Sequence, residues 1–274
     1  MVCWFGVILY GPNGTVKRDA NYKNDKELPV FNAVFWPLSF VSAASYCVWN
    51  FPSYLLLFNL AGLGLGNTYQ AAGWFDVSVL ILACLGFVLG VLFVTPIEGE
   101  LPVQTWFDRI GLFAGRISMV LIMTLAVVMA YEVVVRYIFA APTLWANELS
   151  LWIAGLVFLL VGFYAQQQRI HIRIDILHSA LRPSLRRCCD IVSSLCLGLF
   201  ASAFVWGCFN DVQRKLSNWE RFGTSFNPPI PATLLPLLAL IIVLIAVQSF
   251  INLVVDWNAP GPGRAVDSNQ SLER

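Results

Sequence analysis

Charge is scarce in this sequence: Asp, Glu, Lys and Arg make up only 12% of its 274 residues, against 58% hydrophobic ones, and the mean hydropathy is +0.71. A soluble domain carries about a quarter of its residues as charges, so the chain is excluded from that class and is expected to be an integral membrane protein. The formal net charge of +1 leaves no acidic or basic bulk, which argues against a nucleic-acid partner. Histidine is nearly absent. His171 and His178 fall in one loop, whereas a membrane-bound haem needs axial ligands projecting from facing helices, so no haem, metal or other cofactor is expected. The seven cysteines are odd in number, lie mostly in apolar runs and form no C-x-x-C pair, and they read as small hydrophobes. Gly-rich phosphate loops, H-E-x-x-H and G-x-S-x-G are all missing, so nothing points to an enzyme. The sequence also lacks a repeat between its halves and an acidic residue at mid-span, two marks of a complete secondary carrier.

What is present is a series of long apolar runs. Residues 1–10 are apolar but too few to cross a core about 30 Å thick, and no basic segment precedes them. They read as interfacial or as a mis-assigned start. Lys17, Arg18, Lys23 and Lys26 follow, biasing this end to the cytoplasm. A kinked helix is expected over 30–65, interrupted by Pro37, Asn50, Pro52 and Asn59, then a short loop at 62–73 and a second span from Trp74 to Thr95. Gly86 and Gly90 give that span a G-x-x-x-G face suited to close helix contact. A polar interval at 97–109 divides an N-terminal extension (1–107) from a four-helix unit (108–257), and a Gly- and Pro-containing tail (258–274) is expected to be disordered. The fold class is all-α, with about six transmembrane spans.

The four-helix unit begins with an apolar run at 110–137, roughly 28 residues or about 42 Å at 1.5 Å per residue, long enough to tilt or project beyond the bilayer. Arg116 near its start reads as an interfacial anchor. Near its finish Glu132 and Arg136 are one turn apart and can pair on one face, and they read as a snorkelling pair rather than an ion relay. A turn at Ala140 to Pro142 leads to Trp145, Glu148 and Trp152 at the start of the next span, which runs to about Ala165. The short turn holds antiparallel ends together, so Arg136 has two candidate partners, Glu132 and Glu148. The loop 169–190 carries Arg169, Arg173, Arg182, Arg186 and Arg187 against only Asp175 and Asp190, which marks it as cytoplasmic. Within it His171, Arg173 and Asp175 alternate with isoleucines. A span over 188–210 continues into an amphipathic tail with Arg214, Lys215, Trp219, Glu220 and Arg221, and a loop at 223–231 with three prolines precedes the last span, opened by Pro231 or Pro236 and closed near Trp257.

Two stretches resemble the small membrane subunit, the DctQ-like family, of tripartite ATP-independent periplasmic (TRAP) transporters. The first comprises Glu132, Val133, Arg136, Tyr137, Phe139, Pro142, Trp145 and Glu148, and the second the run Ile170, His171, Ile172, Arg173, Ile174, Asp175, Ile176 and Leu177. The resemblance covers roughly 108–257 and implies a scaffold subunit in a bacterial inner membrane. It also implies a large multi-span permease subunit and an extracytoplasmic solute-binding protein as partners, sodium coupling, and small organic acids as substrates. Glu132, Arg136, Trp145, Glu148, His171, Arg173 and Asp175 are then the candidate subunit-interface or structural residues. Six spans, with membrane lipid around them, place both termini in the cytoplasm, and the loops 62–73, 140–145 and 223–231 on the opposite side. The readings in competition are a membrane anchor subunit of a quinone-linked redox enzyme and a self-sufficient channel or carrier.

Overall fold

The computed structural model describes residues 28–59, 69–97, 99–169 and 183–257. Seven helices account for the regular structure among them: α1 (Leu28–Trp49), α2 (Phe51–Leu57), α3 (Trp74–Phe93), α4 (Trp106–Ile138), α5 (Leu144–Gln167), α6 (Pro183–Asn218) and α7 (Ile230–Trp257). Five of them, α3 to α7, are long and apolar enough to cross a membrane. The 22 residues of α1 include no charge, and its serines 39, 42 and 45 turn their hydroxyls back onto carbonyls of the preceding turn, as an apolar surrounding demands. The chain is a polytopic helical membrane protein.

Where the helices start and stop departs from the sequence reading at three places. The kinked helix expected over 30–65 is instead broken at Asn50 into α1 and α2, because Pro52 removes a backbone donor in the first turn of α2. Residues 60–68 of that expectation lie outside the described residues. The polar interval does not run to Arg109: Thr105 and Asp108 form a capping box, each side chain accepting the other's backbone N–H, and α4 begins at Trp106. Inside the loop expected over 169–190, Pro183 already opens α6, a position where its missing N–H costs nothing. The tail with Arg214 and Lys215 continues the same helix to Asn218. At 33 and 36 residues, α4 and α6 measure about 50 Å and 54 Å, well beyond a core of about 30 Å.

Each helix packs chiefly on its neighbours in the order α3, α1, α4, α5, α7, α6, so the spans form a layer with α6 at one edge. The seam between the N-terminal hairpin and α4 is centred on Phe113, 1% exposed, whose ring meets Phe40 at 5.9 Å and Phe87 at 5.6 Å. Gly90 makes this possible, since a Cβ there would lie 2.2 Å from the Phe113 ring, while Gly86 faces the α1 backbone at Phe40. The expected G-x-x-x-G contact face is therefore used, against two partners. Gly115 plays the same part between α4 and α5, where Tyr164 lies over it. Phe163, Ala114 and Ile241 continue the core across α5 into α7.

Alternation along the layer brings the connections after α2, α4 and α6 to one end, where Tyr69 meets Arg221 and Glu148 meets Thr224. The connection after α3 meets the C-terminal ends of α5 and α7 at the other.

Candidate subunit-interaction site

The turn between α4 and α5 is built around one carboxylate. Glu132, 4% exposed, accepts from Arg136 Nη2 at 2.7 Å and Nε at 3.1 Å on one oxygen. Its other oxygen accepts from the Thr143 backbone N–H at 3.2 Å and from the Thr143 hydroxyl. Thr143 is the N-cap residue of α5 and makes no side-chain capping bond within its own helix; its hydroxyl and backbone N–H are both turned to Glu132 on α4 instead. Between them the chain reverses through Ala140 at φ +50°, with the Phe139 and Ala141 N–H groups both donating to the Val135 carbonyl. The last turn of one helix and the first turn of the next are tied by a side chain rather than by turn chemistry alone.

Arg136 and Glu148 do not pair. The Glu148 carboxylate instead accepts from the Thr224 hydroxyl at 2.6 Å, which joins the start of α5 to the connection between α6 and α7. Arg136 pairs with Glu132 and keeps 49% of its side chain exposed, so one member of the pair is buried and the other half-exposed. Trp145 lies against Tyr131 at 5.7 Å, on the seam between α4 and α5, with part of its ring facing outward. Trp152, about two turns further along, donates its indole N–H to Thr233 at 2.8 Å and so fastens α5 to α7. Tyr137, Ile138, Phe139 and Leu144 form an exposed apolar rim around the turn.

The opposite end holds a second polar cluster, and its residues were placed less well from sequence. Arg116 is not an interfacial anchor: it is 2% exposed and grips Glu100 with both terminal nitrogens, at 2.9 and 2.6 Å. Glu100 also accepts from the Tyr164 hydroxyl at 2.7 Å and the Ile97 N–H at 2.8 Å. Burial alone would raise its pKa, but the hydrogen bonds from Arg116, Ile97 and Tyr164 outweigh burial and hold the carboxyl below the ordinary glutamate range. Nearby, Gln248 in α7 donates to Asp108 at 2.8 Å and to Asn252 at 3.0 Å, and Asn252 donates to the Gln166 carbonyl at 3.0 Å. The signal that could have found this network is the polar pair Gln248 and Asn252, four apart on one face of an otherwise apolar run. His171, Arg173 and Asp175 lie outside the described residues.

Among the described residues no group of three His, Cys, Asp or Glu side chains could hold a metal ion. The two clusters are separated by the uncharged stretch of α4 from 117 to 131. Each pairs its charges locally at one end of the layer, an arrangement that fixes helices to one another.

The family model described as "Tripartite ATP-independent periplasmic transporters, DctQ component" matches residues 125–256, from midway along α4 to the end of α7. The chain is 26% identical over 111 residues to the C4-dicarboxylate TRAP transporter small permease protein DctQ of Vibrio cholerae serotype O1. That alignment takes in 39% of this chain and 48% of the relative, so the chain spans about half the length of the curated relative it matches. No solved structure matches it. Glu132, Arg136, Trp145 and Glu148 fall inside the matched segment, whereas Glu100 and Arg116 precede it.

Proposed function

We propose, from the premise that residues 125–256 carry a DctQ-component region of the TRAP transporters, that the chain is the small membrane subunit of such a transporter. In this reading a large permease subunit carries the substrate and the coupling sodium, an extracytoplasmic binding protein delivers the substrate, and this chain is the fixed part against which the mobile part of the permease works. The substrates are small organic acids. The observation that supports the scaffold role is that the buried charges Glu132 and Arg116 stand in networks that bind one element to another, Glu132 with Arg136 and Thr143, Arg116 with Glu100 and Tyr164. A solute or ion path would instead expose an ionisable group to a cavity at membrane depth.

The chain sits in the bacterial inner membrane with both termini and the basic α5–α6 connection in the cytoplasm, in keeping with the excess of arginine there. The α4–α5 turn then faces the periplasm. The test is reconstitution: liposomes holding this chain, the large subunit and the binding protein should take up an organic acid under a sodium gradient, and liposomes holding this chain alone should take up none. Uptake by the chain alone would make it the carrier itself.

A further inference from the structure

Trp219 follows the last turn of α6 in a conformation bulky residues seldom adopt. Its φ is +48°, in the left-handed region where a side chain crowds its own backbone, and such a residue persists only where its surroundings over-determine it. The surroundings here are aromatic. The Trp219 ring is 4% exposed and stacks on Phe51 of α2 at 4.5 Å and 26°. Its indole N–H is buried and finds no hydrogen-bond partner among the described residues, so the contacts seen to hold the ring are packing ones.

Two residues further, Arg221 donates from Nη2 to the Tyr69 hydroxyl at 2.8 Å, and its guanidinium lies over the rings of Trp49 at 5.7 Å and Tyr69 at 5.8 Å. Phe226 then meets Trp49 at 5.7 Å. Trp49, Phe51 and Tyr69 all precede the matched segment, and Trp219, Arg221 and Phe226 all belong to the 219–229 connection inside it. The connection is held from its other side by the bond from Thr224 to Glu148 and internally by Phe222 N–H to the Pro228 carbonyl and Gly223 N–H to Asn227.

We propose that the N-terminal extension is a strap across this end of the molecule: Trp49, Phe51 and Tyr69 hold the 219–229 connection in shape, with Arg221 as the pin. An arginine suits the place, because a planar guanidinium can face two rings and donate in its own plane at once, whereas a lysine ammonium cannot. On the small-subunit reading, this end faces the binding protein, and the strap sets the shape of a surface on which that protein docks.

Hydrogen exchange followed by mass spectrometry on the full chain in detergent tests the strap. Arg221→Ala should speed amide exchange across 219–227 by about tenfold, the size expected from losing a cation–π contact and a charged hydrogen bond, while α4 and α5 keep their protection. Trp49→Ala, far away in the chain, should loosen the same connection, and Arg221→Lys should give an intermediate effect. Unchanged exchange at 219–227 in Arg221→Ala and Trp49→Ala, with the helices still protected, would overturn the strap. Should either variant lose helix protection, Tyr69→Phe removes only a hydroxyl and decides: faster exchange at 219–227 supports the strap and no change overturns it. No partner enters this measurement, so its outcome is separate from the assignment as a small subunit. Docking of the binding protein to Arg221→Ala, measured on the assembled transporter, should be weakened, and undiminished docking beside a loosened connection would overturn the docking role.

Discussion

A carboxylate withdrawn from water is tolerated only where donors replace the solvent it has lost. Glu132 finds them in Arg136 and Thr143, Glu100 in Arg116, Tyr164 and a backbone N–H. Because Arg136 faces Glu132 and Glu148 faces Thr224, charge reversal should reveal one coupling and not the other. Arg136→Glu should lower the melting temperature in detergent, adding Glu132→Arg should restore part of the loss, and adding Glu148→Arg should give no more than the sum of its singles. Glu100 predicts a pH effect. Its folded pKa lies below the ordinary value, so its contribution is complete above the unfolded glutamate range of about 4.3 and is lost as pH falls through the lowered folded value. Thermal unfolding followed down through that window should show wild-type stability falling, and Glu100→Gln should be less stable near neutrality, by up to about 3 kcal/mol, and flatter in acid.

At the scale of helices, the apolar runs made the all-α class and the five long apolar helices α3 to α7 legible, and the i,i+4 spacing made the Glu132–Arg136 pair legible, since both depend only on a helix's own period. What lay hidden depends on how helices are rotated against one another. Arg116 could be read only as a charge near a helix start, because nothing local says that Glu100, in a connection, and Tyr164, on the next helix, converge on it. The Asn50 break and the Thr105–Asp108 start were local signals that long hydrophobic runs outweighed. The partners of Trp219 and Arg221, more than 150 residues earlier in the chain, had no local signal at all. Gly90 is the element-scale counterpart, a position where one methyl group decides whether two helices can meet. Gly90→Ala should destabilise the chain by about 1–3 kcal/mol through overpacking against Phe113, and Phe113→Leu added to it should recover part of that, as measured by thermal unfolding in detergent.

Taken whole, the molecule is a layer of alternating helices with polar clusters at its two ends and apolar side chains between them, which suits a subunit that holds its shape while a partner moves. On the orientation proposed from the arginines of the α5–α6 connection, reporter fusions at Asn227 should read out as periplasmic and fusions at the C-terminus as cytoplasmic. A periplasmic C-terminus would mean an odd number of spans. The central claim, that the chain is the small subunit of a TRAP transporter, is tested most directly by tagging it, extracting it in mild detergent and identifying what comes with it by mass spectrometry. The account predicts a multi-span permease in stoichiometric amount, and a haem- or quinone-bearing redox complex in its place would contradict it.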